Sequence, residues 1–351
     1  GYVYFTSARP RHYRNYSAPN EAMWCCVGTG MEDHGKYGQF VWTHDKGVKA
    51  EDDALYVNLF VASELNWKDR KMILRQQTAF PYAETSVIEV TKGKGTFILK
   101  VRKPSWCDNF AVTGVGFDIN SYEENGFVCI KRKWKKGDKL KISMPMHAYI
   151  KPMINVPQYV AIMYGPILLG MKTGREDMRS LIADDSRFGQ YAGGKKLPLN
   201  KAPILLPKHL NDIAKDLKPI SGKPLHFKLG THMENAIEGE LQPFFEIHDS
   251  RYMMYWLALG ENDYKAYMQK LADEETARQT LEARTVDKVS PGEQQPETDH
   301  RMETDDSSKG NTEGIFFRDA KDGHFFSYLM QTKGESNLSL QLKFWGQDEW
   351  R

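Results

Sequence analysis

At 351 residues the chain is long enough for two or more domains with sizeable cores. A net charge of +2, with 27% charged residues, gives no global argument for nucleic acid or an anionic membrane as partner, and no apolar run approaches transmembrane length. Four cysteines make no disulfide framework, so they leave the compartment open.

Residues 1–23 are dense in Tyr, Arg and His, among them Tyr2, Tyr4, Arg9, Arg11, His12, Tyr13, Arg14 and Tyr16, while Pro10 and Pro19 break any long helix. Such a segment reads equally as a loop over a sugar pocket or as a surface connection. Two adjacent cysteines, Cys25 and Cys26, then precede Gly28-Thr29-Gly30. Neighbouring cysteines pair with each other only through a strained ring. That leaves a shared metal, a reactive thiolate or two buried thiols. The glycines allow a tight turn and close approach to a ligand, and a helix start nearby favours thiolate. A helix is expected over Gly30–His44, with Met31, His34, Tyr37, Phe40 and Val41 on one side. His34 reads as a core histidine, and Glu32 as a solvated or capping residue.

The period then changes to two. Leu55, Val57, Leu59 and Val61 alternate, as do Phe97, Leu99 and Val101, then Val128, Ile130 and Trp134. Lys135-Lys136-Gly137-Asp138 reads as a hairpin turn before Leu140, Ile142 and Met144. Cys107 and Cys129 fall in strand-like sequence and read as core thiols. Tyr159–Leu169, nearly all apolar, reads as one central strand. Short strands at this spacing indicate a sandwich. The basic run Lys131–Lys136 has no second cluster beside it and reads as the solvated side of a hairpin, so no nucleic-acid partner is expected. Residues 171–222 lose the regularity, apart from a short helix near Asn211–Leu217. Strand patterns resume at Leu225–Leu229, Leu241–Ile247 and Tyr252–Leu259. Asn262-Asp263 reads as the cap of a long helix whose stripe is Tyr264, Tyr267, Met268, Leu271, Ala272 and Leu281. Residues 286–314, almost without large apolar side chains, read as a mobile loop. Strands are expected again at Phe325–Leu329 and Leu338–Phe344, the last running on towards Trp345-Gly346.

Trp24-Cys25-Cys26-Val27-Gly28-Thr29-Gly30-Met31-Glu32 and His34-Gly35-Lys36-Tyr37-Gly38 resemble the cysteine-nucleophile, zinc-thiolate β-L-arabinofuranosidases of glycoside hydrolase families 127 and 146. Leu55–Phe60, Ser63–Trp67, Arg102–Trp106 and Tyr164-Gly165-Pro166 agree in the same order, and Ile247–Trp256 resembles a C-terminal domain of one branch. The resemblance implies a helical (α/α) barrel followed by β-sandwiches, with Cys25 as nucleophile and zinc ligand and Cys26 as a second ligand. It also implies export to the periplasm or outside the cell. The family completes its zinc with an upstream Glu-x-Cys and takes its proton from another upstream Glu. No Glu-x-Cys occurs in these residues, so the chain reads as an interior piece of a larger enzyme.

The expected fold is therefore mainly β. It comprises a barrel remnant at 1–50 carrying the double cysteine, a β-sandwich at 51–172 and a linker or excursion at 173–222. A second β-rich domain, truncated and holding one long helix, occupies 223–351. The expected function is that of a fragment of a retaining glycosidase that cleaves arabinofuranosyl residues from plant glycans, inactive alone. The alternatives are a non-catalytic carbohydrate-binding or structural sandwich and, more remotely, a vicinal-dithiol redox or metal sensor. Nothing in the sequence indicates an oligomeric state.

Overall fold

Alternation of apolar and polar residues builds the first body of a computed structural model that describes residues 1–186, 189–312 and 315–344. One five-stranded sheet has the order Trp42–Asp45, Ala54–Val57, Lys94–Arg102, Phe127–Lys135, Tyr122–Glu124. The other runs Ser63–Trp67, Met72–Thr78, Thr85–Lys92, Lys139–Ser143, Ala111–Gly114. Leu55, Val57, Phe97, Leu99, Val101, Ile130 and Trp134 of the first sheet share one core with Met72, Leu74, Ile88, Val90, Leu140 and Ile142 of the second. This is the expected sandwich. Cys107 and Cys129 are free and buried, as expected, and burial pushes both thiols up from their ordinary value.

Two turns were misread from sequence. Lys135–Asp138 does not close a hairpin, because Phe127–Lys135 and Lys139–Ser143 lie in different sheets. The turn is a corner between the sheets: Gly137 takes φ +90°, its N–H donates to Val90 O at 2.8 Å, and Asp138 N–H donates to Lys135 O at 3.0 Å. Hairpins and corners use the same turn residues, and only the packing of the flanking strands separates them. Conversely, Tyr159–Leu169 is two strands, Tyr159–Tyr164 and Ile167–Gly174, folded on each other at Gly165, where φ is +53°.

Those two strands are central to a ten-stranded sheet with its own core of Val160, Ile162, Leu169, Met171, Leu205, Leu241 and Trp256. The span 173–222 feeds this sheet. Ile204–Leu205 runs parallel to Trp256–Ala258, and Leu217–Pro219 pairs with Phe227–Leu229. The expected short helix is present at Asp212–Lys215.

The N-terminal segment is fixed to this body by one fully buried cation. Arg251 donates from Nε to Glu176 O at 2.7 Å, from Nη1 to Arg11 O at 2.8 Å, and from Nη2 to Asp177 O and Lys195 O at 3.0 and 2.9 Å. Tyr252 N–H donates to His12 O at 2.9 Å, and Arg11 N–H to Tyr252 O at 3.0 Å. Tyr16–Ser17 adds a short parallel pair with Ile182–Ala183. The segment dense in Tyr, Arg and His, read as a loop over a sugar pocket or a surface connection, is therefore a strap with defined partners.

The chain forms two compact units, Gly1–Gln269 and Lys270–Arg351, and the boundary falls inside a helix, Glu261–Arg284. That helix starts at Glu261, so Asn262-Asp263 belong to its first turn and are not its cap. Its expected buried stripe is only half-buried at Tyr264, Tyr267, Met268 and Leu271, and Leu281 is exposed. In the second unit the polar stretch 286–314 is ordered wherever it is described: it supplies the helix Gln294–Asp299 and the strands Glu303–Thr304 and Ser307–Thr312. Its organiser is Glu297, 4% exposed, which accepts hydrogen bonds from Arg318, the Gly292 N–H and Tyr328 Oη. Burial alone would raise the Glu297 pKa, but Arg318 and the two further donors outweigh it and hold it at about 2. Apolar content is a poor guide to order where a buried ion pair with satisfied partners replaces an apolar centre. Beyond it, Phe326–Ser327 is the only strand within 325–329. Leu338–Phe344 is not a strand, and Leu338, Leu340, Leu342 and Phe344 are exposed. Trp345 and Gly346 lie outside the described residues.

Replacing Arg251 by Met keeps most of the volume and removes every one of these donors. The carbonyls left behind are buried, so a loss on the order of 3 kcal/mol is expected by urea unfolding. Amide protons of Arg11 and Tyr252 should lose protection before those of the sandwich; equal protection in variant and parent would contradict the strap.

Candidate active site around the double cysteine

The first helix spans Cys25–Val41, so it starts earlier than the glycine spacing suggested and ends before Trp42–Asp45, which is a strand. Trp24 is the extended residue before it, with φ −62° and ψ 157°, and no side chain caps the helix. Cys25 and Cys26 are thus its first two residues, where backbone N–H groups lack intrahelical partners and the helix field favours an anion. The glycines make no turn. Gly28 has open space where a Cβ would stand, whereas at Gly30 a Cβ would meet the Tyr2 ring at 3.0 Å. Close approach is therefore needed at Gly30, and it admits a ring of the N-terminal strap.

Only Val27 and Val41 of this helix are buried. Met31, Tyr37 and Phe40 are 43%, 54% and 60% exposed, so of the expected apolar stripe only Val41, at its end, is covered among the described residues. His34 is also exposed, lying between Tyr2 and Tyr37 with ring centroids 6.1 and 5.5 Å away, and is not a core histidine. Glu32 is solvated and pairs with Lys36 at 3.4 Å.

Both thiols of the pair are exposed, with their Sγ atoms 3.9 Å apart. Tyr4 Oη lies 3.6 Å from Cys25 Sγ. The hydrogen bond from Tyr4, then that from Cys26, lowers the Cys25 pKa against a smaller opposing cost of desolvation. The Tyr4 hydroxyl is correspondingly raised, chiefly by its bond to Cys25. A phenol held protonated beside a thiol drawn towards thiolate is placed to donate to it. Sequence reasoning singled out Cys25 and Cys26 but gave Tyr4 no role; its signal was the unusual aromatic density of the strap.

Two thiolates about 2.3 Å from a tetrahedral zinc stand about 3.8 Å apart, so the observed spacing suits two of its four positions. Among the described residues, however, no group of three His, Cys, Asp or Glu stands close enough to hold a metal. The pair fits half of a zinc centre and does not complete one.

Three family models match the chain. Residues 54–146 match "Beta-L-arabinofuranosidase, GH127 middle domain", a span that coincides with nearly all of the sandwich. Residues 149–258, which hold the ten-stranded sheet, match a domain of unknown function, DUF4986, and residues 280–351 match another family of unknown function, DUF6805. The double cysteine lies N-terminal to the GH127 match. Among solved structures the chain is similar to a GH127 β-L-arabinofuranosidase from Geobacillus stearothermophilus T6, with 17% identity and a TM-score of 0.45 over 67% of this chain and 37% of that one. A protein described as a glycoside hydrolase gives 20% identity and 0.45, covering 68% and 41%. A GH127 β-arabinofuranosidase gives 22% and 0.38, covering 59% and 35%. The chain thus spans about two fifths of the length of the solved structures it matches. No curated protein matches it. No described helix is long and apolar enough to cross a membrane.

Each missing ligand removes a bond that would also organise the cysteine turn. Dialysed protein assayed by metal analysis should therefore carry far less than one equivalent of zinc. A stoichiometric, chelator-resistant zinc would contradict the half-site.

Proposed function

We propose that this chain is part of a retaining glycoside hydrolase in which the Cys25 thiolate attacks the anomeric carbon of an arabinofuranosyl residue on a plant glycan, in the periplasm or outside the cell. The observation that carries this reading is the exposed Cys25 thiol at a helix start, drawn towards thiolate by the Tyr4 hydroxyl, in a chain whose residues 54–146 match a GH127 middle domain.

The sulfur forms a bond to the anomeric carbon as the carbon–oxygen bond to the leaving group breaks, and the departing oxygen takes up a proton. Water then displaces the sulfur, so the sugar is released with retained configuration after two inversions. Tyr4 favours the ionised nucleophile before attack and stabilises the sulfur anion again when water releases the sugar. Cys26 and Cys25 would supply two ligands to a zinc ion, which favours an anionic thiol when bound. By the resemblance, the group that protonates the departing oxygen is a glutamate upstream of the double cysteine, and no carboxylate of this chain is assigned that role. Positioned acid catalysis contributes roughly a hundred- to ten-thousand-fold.

The chain should therefore leave alkyl arabinofuranosides untouched. An aryl β-L-arabinofuranoside, whose leaving group needs little protonation, should give slow phenol release with the sugar retained on Cys25 by mass spectrometry. Cys25→Ser should abolish both signals. Equal release from parent and variant would overturn Cys25 as nucleophile.

A further inference from the structure

In the second unit His300, directly after the helix Gln294–Asp299, has an acceptor beside each ring nitrogen. Nδ1 lies 2.6 Å from Pro296 O, and Nε2 lies 3.1 Å from Asp287 Oδ1. A neutral imidazole carries one N–H and one lone pair, so it satisfies one of these oxygens and turns its lone pair on the other. A carbonyl cannot donate in return. The Gln331 N–H, donating to Asp287 Oδ2 at 2.6 Å, leads the contacts that hold the Asp287 pKa below its ordinary value, so this carboxylate does not donate either. Only the imidazolium suits both oxygens.

The surrounding charges agree with that form. The bond to the Pro296 carbonyl, then that to Asp287, raises the His300 pKa against the opposing cost of burial, with a smaller contribution from Asp299. Glu297, on the same short helix, is occupied by Arg318. The neighbouring segment Tyr328-Leu329-Met330-Gln331 brings one titratable group, the Tyr328 hydroxyl, and that donates to Glu297. Lys288 and Arg301, next in sequence to the pair, are exposed.

The pair also holds the end of an ordered stretch. Leu329 N–H donates to His300 O at 2.7 Å, and Gln331 N–H donates to Asp287. Beyond Gln331, among the described residues, the one hydrogen bond is local, from Glu335 N–H to Thr332 O at 3.0 Å. Asp287 is thus the last anchor of the described chain, and His300 is the side chain that holds it.

We infer that His300 and Asp287 form a pH-operated clasp: the imidazolium keeps Asp287 on Gln331, and loss of its proton loosens the chain from residue 330 onwards. A histidine whose folded pKa lies above its unfolded one stabilises fully below the ordinary value, and the stabilisation is lost as pH rises through the raised one. The clasp is therefore closed in acid and opens towards alkaline pH. It involves neither cysteine of the pair.

The test is a pH titration of the full chain by NMR. It reads the His300 ring protons and the protection of the Gln331 amide, corrected for intrinsic exchange. His300 should titrate above an ordinary histidine, and Gln331 protection should fall roughly three- to ten-fold across the same midpoint. The Gly292 amide, which donates to Glu297 at 2.7 Å, should show no such step. His300→Gln, uncharged at every pH, should show the open level of Gln331 protection throughout. Asp287→Asn keeps an oxygen for Gln331 without the charge; it should lower the His300 midpoint and remove the step. An ordinary or lowered His300 midpoint in the parent, a Gln331 amide without the step, or an equal step in Asp287→Asn would overturn the clasp. Should either variant fail to fold, the coincidence of the two midpoints in the parent decides alone.

Discussion

A buried guanidinium ties together the segments that hold the strap beside the double cysteine. Among the described residues Arg251 has no carboxylate partner; its hydrogen bonds go to carbonyls of residues 11, 176, 177 and 195. A buried cation is costly unless its donors are satisfied, and carbonyl dipoles converging from separate segments satisfy it only if those segments stay in place. The strap carrying Tyr4 and the excursion at 173–222 are thus coupled through Arg251 as well as through the hydrogen bonds of Arg9, Tyr13 and Asn15. Other cations gather near it, and the same burial that hides Arg251 keeps His12 neutral: desolvation first, then the charges of Arg251, Arg9 and Lys196, lower its pKa to about 4.

The catalytic proposal inherits this geometry. The first helix buries little of itself, so its own packing does not fix where Cys25 stands. What locates the thiol is contact from the strap: the Tyr2 ring against Gly30, the Tyr4 hydroxyl on Cys25, and the Tyr4 edge near Trp24. At its far end the helix continues directly into the strand Trp42–Asp45, and Val41 and Trp42 at that junction lie in the sandwich core. A reactive side chain is thereby set at the start of a helix anchored at its other end. That combination favours both ionisation and access.

Much of the fold was legible because alternation with a period of two leaves few choices once both faces are assigned. Leu55, Leu99 and Ile130 pair across one sheet as their spacing required, and Cys107 and Cys129 are buried thiols. Lys135–Asp138 and Tyr159–Leu169 misled because turn residues do not report which sheet the next strand joins, and because Gly165-Pro166 hides inside an apolar run. Met31, Tyr37 and Phe40 formed a convincing stripe, yet periodicity records a face suited to burial without naming what buries it. The ordered Glu297 site escaped a reading based on apolar content. At the functional site the cysteines announced themselves by adjacency. Tyr4 could not, since its role depends on a contact spanning 21 positions.

The central claim is that Cys25 is a primed thiolate and that Tyr4 primes it. The most direct measurement is the pH dependence of carbamidomethylation at each cysteine, followed by peptide mass spectrometry in the parent and in Tyr4→Phe. Cys25 should alkylate with a midpoint below that of an ordinary thiol, well ahead of the buried Cys107 and Cys129, and Tyr4→Phe should move that midpoint upward. A Cys25 that titrates as a free thiol in the parent, or a midpoint unmoved by loss of the Tyr4 hydroxyl, would contradict the account.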